Sequence, residues 1–507
     1  MSSSHLSILL LLVMVCEGVS QTSSKHSSPP RFTDEDIRQV LHDTVGVPPE
    51  FGADIRLTIV ELGFVGPRMR RALLNEAYSL AGGAQERVAL KRVDGGGPIT
   101  GALNDVFQKG FDELSLRARV SEDLVTVDAD RAQDLFRRIK LTSDEGSACE
   151  QEMVYDPSIY YSAMARLLAS ISASERRVRF LEDQIPQLVS TAQVASFVRV
   201  VIGSNLSLAN QKVIAQRIAA QLSQITSNRR VFSSYYADVI PALTRLATLL
   251  PKTEQTSFLI QLRDWILASI NDGVCQLQGG RIKHRDGTIQ RFNPSRPSDI
   301  FNNELTALGR VDLAIDPSDV SASPLLPPAA NDHYSSEYLS MFRSYHLLAT
   351  DYGSANTEGR WQSELQKYTD AIDQWNEPLD RSQYSAYYIE KADILQQVLS
   401  IQQNATIVRT GMTQSEFSAI RRATSSRRTG DRDESPLHFL LELIDGATAR
   451  DIYPDHHLLW FQPVLELLRS SYSEGEVDAS CIASSNPVLR AYGALSRLLH
   501  SKGSNYI

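Results

Sequence analysis

Cysteine is scarce in this chain, with four among 507 residues, and Cys16 falls inside the first apolar run. That excludes a disulfide-dense scaffold. Cys149, Cys275 and Cys481 remain, and an odd number allows one disulfide bond at most and leaves one thiol unpaired or intermolecular. Also missing are a Walker loop, GxGxxG, HExxH, a CxxC pair, GxSxG and an EF-hand loop, so nucleotide, zincin, thioredoxin-like and α/β-hydrolase chemistry have no support, and no cofactor is implied. Asp455, His456 and His457 invite a metal site, but neighbours on a helix point about 100° apart and do not converge. No metal is expected. A dominant charge of one sign is lacking as well: 51 basic and 60 acidic residues give a net charge of −9, spread along the chain. Nucleic acid is therefore not an expected partner, because phosphate binding draws on a concentrated basic surface.

Long apolar runs are lacking beyond residues 6–16, LSILLLLVMVC, and eleven residues are too few to cross a hydrocarbon core as a helix. With Gly18 and Ser20 at the small positions before a cleavage point, residues 1–20 read as a signal peptide. No later stretch approaches the length of a membrane span, so the expectation is a secreted, extracellular protein with no membrane anchor. Residues 21–32, QTSSKHSSPPRF, read as a flexible leader. Asn205 and Asn404 head sequons and are expected glycosylation sites in that compartment.

Strand-like alternation is sparse, with VTVDA near Val125 and ATIVRT near Thr406 the best cases. Helical periodicity fills most of the rest. Thr33 and Asp36 suit a capping box, followed by the apolar face Ile37, Val40, Leu41 and Val45. Further stripes are Leu103, Val106, Phe107, Phe111 and Leu114; Ile214, Ile218, Leu222 and Ile225; and Trp361, Leu365, Tyr368, Ile372 and Trp375. Proline and glycine punctuate between them, at Gly95–Pro98, Pro241, Pro251, Pro324–Pro328 and Pro454. The fold class expected is mainly α, an incomplete α/α toroid or an irregular multi-helical array, with at most minor β structure. Soft boundaries near 150 and within 320–332 divide the chain into an N-terminal helical region (33–150), a central one (151–320) and a C-terminal one (333–507).

Two basic clusters stand out from the acidic background. Arg421, Arg422, Arg427, Arg428 and Arg432 are diluted by Ser, Thr, Gly and Asp and read as a solvated loop. The other lies between two helical stripes, Phe258, Leu259, Leu262, Trp265, Ile266 before it and Leu305, Leu308, Val311 after it. It gathers Arg281, Lys283, His284, Arg285, Arg291 and Arg296 around Asp286-Gly287. A guanidinium meets a carboxylate or sulfate in two-pronged geometry, so an acidic sugar suits this loop.

The segment QLQGGRIKHRDGTIQRF resembles the chondroitin and hyaluronan lyase family, especially its chondroitin ABC lyase branch, in which a toroid helix leads through a Gly-rich loop into a DGT-x-x-R-H segment. Asp286, Gly287, Thr288 and Arg291 match, and Phe292 stands at the family's histidine position. The resemblance implies catalysis by Arg291 with a tyrosine, Tyr236 or its neighbour Tyr235, or else Tyr160 or Tyr161. From the cations gathered on the loop, and not from the resemblance, Arg285 and Arg296 are the expected substrate-binding residues. In that chemistry a tyrosinate removes the C5 proton of a uronate and the glycosidic oxygen leaves by β-elimination, with an adjacent arginine favouring the tyrosine anion. Two functions follow as expectations: a protein related to acidic-polysaccharide lyases that cleaves its glycan or only binds it, or a non-enzymatic secreted structural or protein-interaction protein. Amino-terminal sequencing of the exported protein should begin at Gln21; a chain still carrying Met1 would remove the signal peptide and the extracellular setting with it.

Overall fold

The computed structural model describes residues 34–63, 65–92, 110–141, 153–225, 233–271, 281–283, 289–291, 297–320, single positions between 335 and 395, 484 and 486–501. The chain is mainly helical, and short strands supply the minor β structure.

Local chemistry sets the first helices. Helix α1 (Asp34–Asp43) buries Ile37 and Val40; Val45 lies past its end and is 74% exposed, so the apolar face is shorter than the periodicity implied. Prolines open α2 (Pro49–Glu61) and α3 (Pro67–Ala81) at their first turns, where the missing N–H costs nothing. Asp112 and Asp128 cap α4 (Glu113–Leu124) and α5 (Ala129–Phe136), each accepting the N–H three residues on. The stripe from Leu103 is not one helix. Gly110 has φ +68, and a Cβ there would stand 2.7 Å from Ile159 Cδ1, so the chain turns at Gly110 and α4 starts only at Glu113. Nor is VTVDA a strand: Val125 ends α4, and the segment forms the turn into α5.

The next helices are α6 (Ser158–Ser170), α7 (Ser174–Gln184), α8 (Thr191–Gly203), α9 (Leu208–Gln221), α10 (Ser233–Ala247), α11 (Lys252–Asn271) and α12 (Pro297–Ala307). Ser190 and Gln193 form a capping box at the start of α8. The stripe Ile214, Ile218, Leu222, Ile225 is buried throughout, as are Phe258, Leu259, Leu262 and Ile266 of α11. Pro241 does not punctuate; it lies inside α10. The carbonyl that loses its partner belongs to exposed Ala237, where water can replace the bond, while Val239, Ile240, Leu243 and Leu246 hold the helix in the core. Val311 does not continue α12 either; Gly309 turns the chain at φ +68 and Val311 is 65% exposed.

The helices pack in an alternating order. Helices α2, α4, α6, α8, α10 and α12 form a row in which each touches the next, and α3, α5 and α11 lie against neighbouring members of it. The final helix, α13 (Pro487–Ser501), returns to pack on α1 and α2. There Tyr492 donates to Asp54 Oδ2 at 2.7 Å, and Asp54 Oδ1 accepts from Arg119 of α4 at 2.9 Å. Strand β1 (Leu90–Arg92) pairs antiparallel with β2 (Met153–Tyr155), joining residues on both sides of position 150, and β3 (Arg281–Lys283) pairs with β4 (Ile289–Arg291). No described helix is long and apolar enough to cross a membrane.

An aromatic series ties four helices together. Phe136 at the end of α5 stacks on Tyr160 of α6 at 4.5 Å between ring centroids and lies 5.9 Å from Phe180 of α7. Tyr160 meets Tyr161 edge-on at 5.1 Å, and Tyr161 meets Phe197 of α8 at 6.1 Å. Tyr160 donates to Gln184 Oε1 at 2.6 Å, so its polar end is satisfied inside the core.

Two predictions follow from this packing. Phe136 is fully buried, so Phe136→Ala should lower unfolding stability by about 3–5 kcal/mol in denaturant titration; a loss near zero would mean that the aromatic series is not a core. Asp112 is also buried, and burial raises its carboxyl from 3.8 to about 6. The folded state then holds the proton more tightly than the unfolded one, so this group's contribution is complete below pH 3.8 and is lost as pH rises through about 6. Asp112→Asn keeps the capping oxygen and removes the charge. It should be more stable than the parent by about 2–3 kcal/mol at neutral pH and equal to it well below pH 3.8.

Candidate functional site

The residues implied by the lyase resemblance are only partly placed. Arg291 lies in β4, opposite Arg281, with Lys283 opposite Ile289. Register thus brings Arg281 and Arg291 to paired positions across the ribbon, with Lys283 two residues along. The hairpin itself was not foreseen, although Asp286-Gly287 between the strands is a hairpin signal. Tyr235 and Tyr236 lie in α10. Their side chains, and Arg285, Arg296, Asn404, Cys149, Cys275, Cys481, the cluster 421–432, the segment ATIVRT and the His456–His457 pair, fall outside the described residues. Asn205 is exposed in the turn between α8 and α9, in a left-handed conformation with φ 51, and Ser207 of its sequon caps α9.

The remaining tyrosine candidates are core residues. Tyr160 and Tyr161 are buried, and burial drives both hydroxyls well above the usual tyrosine range. Neither can serve as a tyrosinate base.

A different constellation forms where α3, α4 and α5 meet. A cavity of about 600 Å³ is lined by Arg71, Asn75 and Tyr78 from one face of α3, by Arg117 from α4, and by Arg131 and Arg138 from α5 and the turn after it. Spacings of four and three place the α3 set on one helical face. Asp128 is the single carboxylate of the lining. Its Oδ1 caps α5 by accepting the Arg131 N–H at 3.1 Å, and its Oδ2 lies 3.7 Å from Arg71. Arg117 pairs with Glu113 one turn earlier, and its guanidinium sits 4.9 Å from the centroid of the Tyr78 ring. Gly82 leaves room for that guanidinium, since a Cβ there would collide with it. Arg131 and Arg138 have no ion-pair partner among the described residues.

Tyr78 fixes what this site can do. Its hydroxyl donates to the Leu135 carbonyl at 2.8 Å. Burial raises its pKa, against the opposing pull of Arg117, Arg138 and Arg131. The hydroxyl therefore stays protonated and engaged, and the charged groups of the lining are four guanidinium groups and the Asp128 carboxylate. These arginines escaped the sequence analysis because they are scattered between positions 71 and 138; only the 3.6 periodicity of each helix, combined across three helices, could have grouped them. Among the described residues no group of acidic, histidine and cysteine side chains is arranged to hold a metal ion. Comparison with protein-family models, with curated proteins and with solved structures finds no match to this chain.

Proposed function

We propose that this is a secreted protein that binds an acidic polysaccharide through the arginine cleft and does not cleave it. The observation that carries the proposal is the convergence of Arg71, Arg117, Arg131 and Arg138 on one cavity with a single opposing carboxylate, in a chain of net charge −9. Four guanidinium groups repel one another. Asp128 and Glu113 offset that repulsion at Arg71 and Arg117, while Arg131 and Arg138 stay available for two-pronged bonds to carboxylate or sulfate groups. Asn75 and Ser79 add uncharged hydrogen-bonding groups along the same wall, suited to sugar hydroxyls.

Binding without cleavage is supported by Tyr78. β-Elimination needs a base beside the uronate C5 proton, and the tyrosine of the cleft is held in its neutral, hydrogen-bonded form. The cation cluster in sequence that includes Arg281, Lys283 and Arg291 is a second candidate for the same class of ligand.

The parent protein should bind chondroitin sulfate or hyaluronan at low salt, with affinity falling as salt rises. Arg131→Ala and Arg138→Ala should each weaken binding about tenfold to a hundredfold, since a charge-assisted hydrogen bond contributes roughly 1.5–3 kcal/mol. Both side chains are at least partly solvent-facing, so folding should survive. Arg291→Ala reports on the ribbon alone. If only that variant loses binding, the ribbon and not the cleft is the site; if the parent binds neither glycan, the proposal fails. Ultraviolet absorbance of unsaturated uronate in the reaction mixture would show a lyase instead.

A further inference from the structure

A second cavity, of about 450 Å³, lies where α6, α7 and α8 meet. It shares no residue with the arginine cleft; its lining includes Tyr161, excluded as a base by its burial, and at its rim the exposed sequon residue Asn205. Its lining contains Arg177 of α7 and Arg199 of α8 and no carboxylate. Arg177 Nη1 donates to the Ser204 carbonyl at 3.1 Å, which quiets the carbonyl end of α8 that would otherwise repel an anion. Its Nε is buried without a hydrogen-bond partner. Arg199 pairs with Asp238 at 3.0 Å, but both side chains are more than half exposed, so that pair is weak and exchangeable.

Tyr161 lines the same cavity. It is 2% exposed, and its hydroxyl is buried with no partner. An unpaired buried hydroxyl costs free energy, and so does an unpaired guanidinium N–H. Beside these groups runs an apolar strip formed by Ala165, Leu168 and Ala169 of α6 and Val200 of α8. One wall supplies cationic and hydroxyl donors, and the other supplies aliphatic surface. The volume falls in the range of small-molecule sites, where a mostly apolar lining carries a few convergent polar groups.

We infer that this cavity is a binding site for a small carboxylic acid with an apolar body. The carboxylate meets Arg177 and Arg199, and the body lies along Leu168 and Val200. The site does not depend on the glycan proposal, because the two cavities use different helices and different arginines.

Calorimetric titration of the full-length protein with octanoate and with phenylbutyrate tests this, with octanol as the uncharged comparison. At least one of the two acids should bind, and octanol should bind at least about tenfold more weakly, the difference expected for a charge-assisted hydrogen bond. Arg177→Met should reduce acid binding by a similar factor. Because that change also removes the Ser204 contact, Ala169→Trp serves as the second variant. Ala169 is exposed on α6, so the indole should fill the cavity mouth and abolish binding while leaving the thermal unfolding midpoint unchanged. Arg138→Ala should leave acid binding as in the parent. Failure of both acids to bind, equal binding of octanol and octanoate, or full binding by a folded Ala169→Trp protein would each overturn the inference.

Discussion

The stacking of Phe136 on Tyr160 is the contact on which both cavities depend. Phe136 ends α5 next to Leu135, whose carbonyl holds the Tyr78 hydroxyl, and Arg138 follows two residues later. Tyr160 sits in α6 next to Tyr161, which lines the second cavity. One aromatic pair therefore stands between the two cavities and joins α5 to α6. Offset stacking is directional, worth about 0.5–1.5 kcal/mol beyond the area it buries. Phe180 and Phe197 extend it into α7 and α8. Changes at its centre should be felt on both sides, because a close-packed core transmits displacement rather than absorbing it.

The aliphatic parts of this scaffold were legible in the sequence, since a period of 3.6 leaves its mark wherever one helical face is buried. Ile214 to Ile225, Phe258, Leu259, Leu262 and Ile266, and Tyr368 and Ile372 of the later stripe are core residues as their spacing implied, while Trp265 and Trp375 are only partly buried. The errors fell where local patterns mimic each other. Val125 and Val127 alternate like a strand, yet they complete the turn after α4, because Asp128 is better used as the cap of α5. Phe111 keeps helical spacing with Leu114 while Gly110 bends the chain away. Pro241 reads as a stop because propensity is local, whereas the packing of α10 between α8 and α12 is not.

Of the sites, local clusters were visible and dispersed ones were not. The run of cations from Arg281 to Arg296 attracts notice in one dimension, and register then aligned Arg281 with Arg291. The arginine cleft has no such run. Arg71, Arg117, Arg131 and Arg138 each look like ordinary solvated helix residues, and the acidic carboxylates between them in sequence hide their sum. Only the packing of α3, α4 and α5 turns four isolated charges into a cleft with one carboxylate in its wall.

That arrangement also explains why the cations around Tyr78 do not produce a tyrosinate. A guanidinium lowers a tyrosine's pKa only to the extent that the oxygen is open to its field and free of competing demands. At Tyr78 the hydroxyl is turned to the Leu135 carbonyl, an acceptor that requires the proton, and burial outweighs the nearby positive charges. The cation–π contact places Arg117 over the face of the ring instead. The same charges that would favour the anion in a hydrated pocket thus act on the ring as packing, and the Tyr78 hydroxyl keeps its proton on the Leu135 carbonyl.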